Sequence, residues 1–221
     1  MLKAITFDLD MTLIDFISFK KKASESAAKA MVKAGLNMPL AKAKKDLFNF
    51  YLNYGIESND PFEKFLKKHK NYNERILAAG INAYLKTKYT CLKPYPKVKP
   101  TLKKLKQKGY KLALVTDAPR LKAYMRLDEM RIADLFDVVV GKGIRLKPSK
   151  LPFKKALKEL KIKPKEAMHV GDLRERDILG AKKMGMKTCI ALYGTEQKKK
   201  DKIVADYYLN KFEDILRVVK E

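Results

Sequence analysis

The chain has 221 residues, 46% of them hydrophobic, which is enough to bury a core and excludes a mostly disordered protein. Its 50 Lys and Arg residues against 25 Asp and Glu residues give a formal net charge of +25, which attracts phosphate-bearing molecules, nucleic acids among them. No apolar run approaches the ~18 residues of a membrane span. The first residues also lack the pattern of a signal peptide, so we expect a cytoplasmic protein without a membrane partner.

Cysteine and histidine form no metal-binding or redox pattern. Cys91 and Cys189 lie far apart without a Cys-x-x-Cys pair, which is typical of small buried thiols in a reducing compartment. His69 and His169 have no ligand spacing either. His169 lies inside the apolar run 167–170, and we interpret it as a core residue rather than a catalyst.

The first predicted element is a strand over residues 2–7, an apolar and β-favouring run that ends in Asp8 and Asp10, followed by Thr12. Carboxylates at the end of a buried strand are unfavourable unless something pairs with them. They could form a catalytic or metal site at the crevice of an open α/β sheet. Asp-x-Asp after an apolar run also occurs as a plain strand-to-turn boundary. This stretch alone leaves both interpretations open.

The segment 16–94 is predicted to be helical, without a strand pattern. Apolar residues recur there at helical spacing, and Gly35 is a typical C-cap. The predicted helices span residues 21–34, 39–53, 61–68 and 73–88. The stiff connector 92–96 contains two prolines and is typical of a domain boundary or hinge. We therefore predict an inserted helical domain over residues 16–94.

Beyond the connector, short apolar runs alternate with amphipathic helices. The predicted strands span residues 111–115, 137–140, 167–170 and 187–191, with an edge strand at 207–209. The predicted helices span residues 98–108, 120–130, 151–160, 176–184 and 212–219. This alternation is typical of βαβ units with helices on both faces of a parallel sheet. The predicted fold is α/β, a Rossmann-like core domain of residues 1–15 and 95–221 interrupted by the helical domain.

Polar residues follow several predicted strands at the point where each strand ends. They are Asp8, Asp10, Thr116, Asp117, Lys147, Asp172 and Asp177. The carboxyl ends of parallel strands meet at one edge of a sheet, so these side chains should gather there. Two carboxylates about 4 Å apart repel by ~4 kcal/mol at an effective dielectric of about 20. A cation must therefore balance them, and oxygen ligands favour Mg²⁺.

Each of these signals is weak by itself. Taken singly, each is more typical of a structural role: Thr116 of a helix N-cap, Lys147 of a surface lysine, and Gly171-Asp172 of a tight turn. Their joint occurrence in this order, each at a strand end, is difficult to produce by accident. The combined pattern therefore favours a functional site.

The order and type of these residues resemble the four motifs of the haloacid dehalogenase (HAD) superfamily. The motifs match as Asp8-Leu9-Asp10-Met11-Thr12, Thr116, Lys147, and Gly171-Asp172 with Asp177. The resemblance covers the first strand and residues 95–221. A helical insertion directly after the first motif is similar to the cap of the phosphoglycolate phosphatase and β-phosphoglucomutase branch.

The resemblance implies that Asp8 is a nucleophile, which would attack phosphorus and form an aspartyl-phosphate. Asp10 would protonate the leaving oxygen and then take a proton from the attacking water. Mg²⁺ would be held by Asp8, the backbone carbonyl of Asp10, and Asp172, with Asp177 as a ligand or in the outer shell.

The same resemblance implies a phosphate-binding set made of Thr116, the backbone N–H of Asp117, and Lys147. The chain departs from the family pattern at three positions. They are Met11 where Gly is common, Asp117 where Asn often follows the Thr, and Arg176 where Asn often precedes the last Asp. An extra carboxylate at Asp117 would repel phosphate unless its side chain turns away or pairs, and Arg120 is the candidate partner.

Asp10 distinguishes the branches of this superfamily, because its dehalogenases and phosphonatases lack that acid/base. The resemblance therefore implies a Mg²⁺-dependent phosphatase acting on a small phosphorylated metabolite. A phosphomutase keeps the same residues and stays an alternative. The net charge also leaves open a nucleic-acid-binding protein on the same scaffold, although the sequence has no nucleic-acid-binding motif and a solvated lysine-rich surface is the simpler account.

Substrate preference is expected to lie in the helical domain. Its candidate contacts are Lys20, Lys21, Lys22, Tyr51, Tyr54 and Arg75. Each of these is more typical of the surface or of the core of a cap than of a substrate contact. The sequence indicates no oligomeric state.

Overall fold

The structure, a computed structural model, describes residues 1–55, 58, 60–143, 145–195 and 203–220. The chain divides into two units, Met1–Asp15 with Lys93–Glu221, and Phe16–Leu92. The division after Leu92 falls two residues before the boundary expected from the sequence. In the first unit, Tyr95 N–H donates to Leu13 O at 2.8 Å. This bond joins the two segments that precede and follow the inserted unit in sequence.

The first unit contains a parallel sheet of six described strands in the order β3-β2-β1-β4-β5-β6. The strands are β1 Ala4–Phe7, β2 Lys111–Val115, β3 Val138–Val140, β4 Ala167–Gly171, β5 Lys187–Ala191 and β6 Tyr207–Leu209. All neighbouring strands pair in parallel. Every residue of β1 is buried, as expected of an apolar run at the centre of a sheet covered on both faces.

The second unit consists of helices joined by loops, with no strand among its described residues. Its helices are α1 Phe16–Lys33, α2 Leu40–Tyr54, α3 Pro61–Lys68 and α4 Glu74–Cys91. α1 packs against α2 and α4, and Gly80 allows α4 to approach Met31, because a Cβ at this glycine would lie 2.2 Å from Met31 Cε. α1 begins five residues before the predicted start because Phe16, Phe19 and Lys20 extend its buried stripe.

The α-helices of the first unit alternate with its strands along the sequence as far as β5, and the last described one follows β6. They are α5 Val98–Gln107, α6 Arg120–Glu129, α7 Lys150–Leu160, α8 Leu179–Lys183 and α9 Ile215–Val218. The predicted helix 176–184 begins instead with a π-helical turn, Arg174–Ile178, which continues into α8. None of the helices in the described parts of the chain has the length and apolar character of a membrane span.

The predicted α/β fold with a parallel sheet is confirmed. The strand order places β1 between β2 and β4, so the chain leaves the sheet in opposite directions on the two sides of β1. In open α/β sheets this switch point opens a crevice at the carboxyl ends of the strands. Asp8 is the first residue after β1 and therefore lies at that position.

Candidate active site

Three carboxylates meet at the carboxyl ends of β1 and β4. Asp8 follows β1, Asp172 follows β4, and Asp177 lies in the π-helical turn beyond it. One oxygen from each of the three lies within 4.8 Å of the others, and all three residues are buried. The structure thus brings together three of the acidic residues singled out from the sequence.

Lys147 joins two of these carboxylates. It lies in the loop between β3 and α7, and its buried Nζ donates to Asp8 Oδ1 at 2.6 Å and to Asp177 Oδ1 at 2.5 Å. Burial opposes its charge, but the attraction of Asp177, Asp8 and Asp117 is stronger and raises the pKa of Lys147. Lys147 therefore stays an ammonium ion inside the cluster.

Asp177 is fixed by hydrogen bonds on both oxygens. Its Oδ2 accepts from Leu173 N–H at 3.0 Å, and its Oδ1 lies 3.3 Å from His169 Nε2 as well as against Lys147. Although burial favours the protonated acid, Lys147 and His169 outweigh it and lower the pKa of Asp177. This carboxylate is therefore ionised and held in one orientation.

His169 supports Asp177 from the strand below. The ring is fully buried, and burial lowers its pKa despite the neighbouring carboxylate, so the ring is neutral. A carboxylate only accepts hydrogen bonds, so Nε2 carries the proton, and Nδ1 accepts from Thr6 Oγ1 at 2.7 Å. The sequence predicted a core histidine, which the burial matches, but gave no sign of this contact with the site.

The other two acids, Asp8 and Asp172, have raised pKa values. Burial raises the pKa of Asp8 to about 7, although Lys147 opposes the shift. Burial and the charges of Asp8 and Asp177 raise the pKa of Asp172 to about 9. One lysine is therefore insufficient for the three carboxylates, and their all-oxygen donor set fits a hard divalent cation. The cluster could hold a metal ion.

Two hydroxyl groups line the same strand ends. Thr12 Oγ1 donates to Asp172 Oδ1 at 3.2 Å, which ties the loop after β1 to the end of β4. Thr116 follows β2, and its Oγ1 accepts from Ala118 N–H at 3.2 Å. Because the Thr116 oxygen is an acceptor in this bond, its O–H can donate to another group. Thr116 is thus placed at the predicted edge of the sheet.

Asp117 turns its carboxylate to Arg176, not to the expected partner Arg120. Asp117 Oδ2 accepts from Arg176 Nη2, and Oδ1 accepts from the backbone N–H of Lys147 at 3.0 Å. Arg120 instead donates to Tyr124 Oη at 3.5 Å. The expectation of an Asp117–Arg120 pair is therefore wrong, because the π-helical turn after the carboxyl end of β4 brings Arg176 to Asp117.

Asp10 is bonded to a residue that the sequence reasoning missed. Arg126 Nη1 donates to both carboxylate oxygens of Asp10, at 2.9 Å each, from the buried face of α6. The available signal was a charged residue in register with Ala123 and Leu127 on the apolar stripe of this helix. The predicted metal contact through the Asp10 backbone carbonyl stays a prediction.

The loop after β1 is packed closely against the end of β5. Met11 has a left-handed backbone with φ of 60°, which explains why glycine suits this position. Gly194 lies so close that a Cβ on it would be 1.6 Å from Met11 O. Tyr193 Oη donates to Thr12 O at 2.8 Å. These contacts fix the loop that contains Asp10.

The candidate contacts in the helical unit divide into buried and exposed residues. Lys20 is buried, its Nζ donates to Tyr51 Oη at 2.9 Å, and Tyr51 Oη lies 3.4 Å from Tyr84 Oη. The ammonium lies 4.6 Å from the ring centroid of Tyr51 and 5.5 Å from that of Tyr84. The exposed candidates are Lys21, Lys22, Tyr54 and Arg75. Contact of any of these residues with a substrate stays a prediction.

Comparison with known proteins gives consistent matches along most of the chain. The family described as haloacid dehalogenase-like hydrolase matches residues 5–191. The glyceraldehyde 3-phosphate phosphatase of Pyrococcus furiosus is 34% identical over 99% of this chain and 93% of its own. The phosphoglycolate phosphatase of Aquifex aeolicus is 31% identical over 99% and 97%. The crystal structure of a predicted phosphoglycolate phosphatase from Haemophilus somnus 129pt, 25% identical, covers 99% and 98% with a TM-score of 0.69.

These matches confirm the family expected from the sequence motifs and the expected enzyme class, a phosphatase. The roles of the individual residues and the identity of the metal stay predictions. The chain belongs to the haloacid dehalogenase-like hydrolase family.

Proposed function

We propose that the protein is a Mg²⁺-dependent phosphatase that hydrolyses a phosphate monoester of a small metabolite through a phosphorylated Asp8. The observation that carries this proposal is the place of Asp8, a buried carboxylate at the end of the central strand, 2.6 Å from Lys147 Nζ. An anionic nucleophile approaches an anionic phosphate only with cations beside it. Lys147 and a metal ion at the carboxylate cluster would provide those cations.

The metal is proposed to bind Asp8, Asp172 and the backbone carbonyl of Asp10. Mg²⁺ is the cation that best suits a few carboxylates and a substrate phosphate, because it retains several waters. Asp177 is proposed to act from the outer shell, since its two oxygens already accept hydrogen bonds from three groups of the chain. When bound, the cation would neutralise charge on the transferring phosphoryl group.

The proposed reaction has two steps. Asp8 attacks phosphorus, the ester P–O bond breaks, and Asp10 gives its proton to the leaving alcohol oxygen. Water then attacks phosphorus of the aspartyl-phosphate, Asp10 takes a proton from that water, and phosphate leaves with Asp8 regenerated. Thr116 Oγ–H, the Asp117 backbone N–H and Lys147 are proposed to bind the phosphoryl oxygens during both steps.

Small phosphorylated carbon compounds are the substrates to test first. The relatives named above are a glyceraldehyde 3-phosphate phosphatase at 34% identity and a phosphoglycolate phosphatase at 31% identity. Their names support glyceraldehyde 3-phosphate as the first compound and 2-phosphoglycolate as the second.

The test is phosphate release from a panel of these two compounds, pyrophosphate and sugar phosphates. Each is assayed with Mg²⁺ and after chelation, and Asp8→Asn serves as the inactive control. We expect release that requires Mg²⁺ and disappears in Asp8→Asn. Full activity of Asp8→Asn would contradict the mechanism. Isomerisation of a sugar phosphate without phosphate release, dependent on a bisphosphate primer, would identify the phosphomutase alternative instead.

A further inference from the structure

α6 contains a charged residue on the face that it buries. The Arg126 side chain is 4% exposed, and it lies on the same helix face as the buried residues Ala123 and Leu127. Such a face is normally apolar, and a buried guanidinium is costly unless a carboxylate pairs with it. A carboxylate partner is therefore needed to explain why an arginine lies on this face.

Asp10, the proposed acid/base, is such a carboxylate partner. One nitrogen, Arg126 Nη1, lies 2.9 Å from Asp10 Oδ1 and 2.9 Å from Oδ2. The Asp10 side chain is 25% exposed, so the ion pair is buried at its cationic end and open at its acidic end. Contact with both oxygens fixes the place of the carboxyl group relative to the guanidinium.

We propose that Arg126 is a positioning residue that holds the carboxyl group of Asp10 in place for proton transfer; this rests on the proposed function. With Asp10 ionised, both oxygens accept from Arg126. With Asp10 protonated, one oxygen still accepts from Arg126 while the other directs its proton to the leaving oxygen. Arginine stays charged in both states, so contact with at least one oxygen lasts through both steps of the reaction.

A positioning role for Arg126 and a purely structural role for the ion pair predict different effects on the reaction. Proton donation is essential when the leaving group is an alkoxide and almost unnecessary when it is p-nitrophenolate, which leaves without a proton. The value of kcat/KM reports the steps up to departure of this group and excludes the later attack by water. If Arg126 positions Asp10, the fall in kcat/KM on its removal should therefore depend on the leaving group. A distorted fold should lower kcat/KM equally for both substrates.

The experiment compares kcat/KM for an alkyl phosphate and for p-nitrophenyl phosphate in Arg126→Met. We expect a fall of about 10- to 100-fold on the alkyl phosphate, somewhat less than complete loss of an acid catalyst, and at most about threefold on the aryl ester. Arg126→Lys keeps a cation and should recover part of the alkyl rate. The matched control is Lys106→Met, which removes a cation 2.6 Å from Asp137 Oδ1 in the same unit and should leave both rates unchanged.

A double-variant cycle tests whether Arg126 acts through Asp10. Asp10→Asn alone should lower the alkyl rate by about 10²- to 10⁴-fold. Adding Arg126→Met to Asp10→Asn should cause no further loss, because the group that Arg126 positions is already gone. A full additional loss in the double variant, or an equal loss on both substrates in Arg126→Met, would overturn the inference.

The outcomes separate this inference from the proposed function. If Asp8→Asn and Asp10→Asn are inactive while Arg126→Met behaves as the unsubstituted protein, only the inference fails. If Asp8→Asn stays active, the proposed mechanism itself fails. Should Arg126→Met not fold, as judged by thermal unfolding, Arg126→Lys provides the same comparison, and the absence of any leaving-group dependence in it would also overturn the inference.

Discussion

Asp117 and Arg176 are two departures from the family pattern whose side chains form one ion pair. Asp117 would otherwise present a carboxylate beside the proposed phosphate-binding groups. Arg176 neutralises it, and Lys147 N–H binds its second oxygen. The two unusual residues therefore compensate each other in charge.

Removal of Arg176 should weaken the binding of phosphate esters. In Arg176→Met the Asp117 carboxylate loses its counter-charge, and we expect KM to rise by about threefold to tenfold with a smaller change in kcat, since the pair is partly exposed. The control is the double variant Asp117→Asn with Arg176→Asn, which removes both charges and should return KM to near its original value. A double variant as impaired as Arg176→Met would contradict this account.

The protons on Asp8 and Asp172 link metal binding to pH. Their pKa values, about 7 and about 9, lie above the ordinary value of 3.8. Between about pH 4 and these values the metal-free folded protein binds protons that the unfolded chain has released. The stability from these two groups is therefore lost as pH rises through about 7 and then about 9.

We expect the metal-free protein to unfold at a lower temperature at about pH 9 than at about pH 6. Mg²⁺ should raise the unfolding temperature more at about pH 9, because its ligands must be deprotonated to bind it. Thermal unfolding with chelator and with Mg²⁺ at both pH values measures this. Asp172→Asn should show a smaller fall between the two pH values. A metal-free protein that becomes more stable over this range would contradict the prediction.

At the scale of elements, the site depends on contacts between the loop after β1 and the residues that follow β5. Met11 adopts a left-handed conformation that costs a non-glycine residue about 1–2 kcal/mol. Tyr193 and Gly194, directly after β5, contact the backbone of this loop. The packing of one element therefore holds the strained conformation of another, on which the place of Asp10 depends.

Gly194→Ala should displace this loop. The new methyl group would lie 1.6 Å from Met11 O, so the backbone must move, and we expect kcat to fall at least about tenfold with a loss of more than about 1 kcal/mol in the free energy of unfolding. The matched control is Gly143→Ala, where nothing lies within 4 Å of the added carbon. Equal activity of the two variants would show that the contact does not position the loop.

The elements themselves were largely predictable from hydrophobic periodicity, because each buries a regular stripe. β1, β2 and α3 match the expected segments closely, and β1 begins two residues after its predicted start. The start of α1 was missed because Lys20 is buried among aromatic rings, and a lysine signals exposure in a sequence. The π-helical turn was missed because its residues have the same pattern as an α-helix.

At the scale of the whole molecule, the candidate site was predictable to the extent that strand ends define it. Asp8, Thr116 and Asp172 each follow a parallel strand, so topology alone brings them together. Arg126 on α6 contacts Asp10, and His169 on β4 contacts Asp177. Both contacts depend on the tertiary packing of these elements. No local pattern specifies such contacts, and the sequence showed only a charged or polar residue inside an apolar stripe.

The net charge of +25 belongs to the molecule as a whole and is compatible with two uses. It raises the encounter rate with small anionic substrates, and it also attracts nucleic acid without sequence preference. The site chemistry supports the first use, because the grouped residues at the strand ends suit phosphoryl transfer. Retention of RNA by Asp8→Asn that weakens steeply with salt would support the second.

The central claim is that Asp8 becomes phosphorylated during turnover, and trapping that species tests it most directly. The protein is mixed with Mg²⁺ and glyceraldehyde 3-phosphate, or the best substrate of the panel, and quenched in acid within the first turnover. Peptide mass spectrometry then locates the phosphoryl group. We predict phosphate on the peptide that contains Asp8, and none in Asp8→Asn. Turnover without any phosphorylated aspartate, or phosphorylation that persists in Asp8→Asn, would contradict the mechanism.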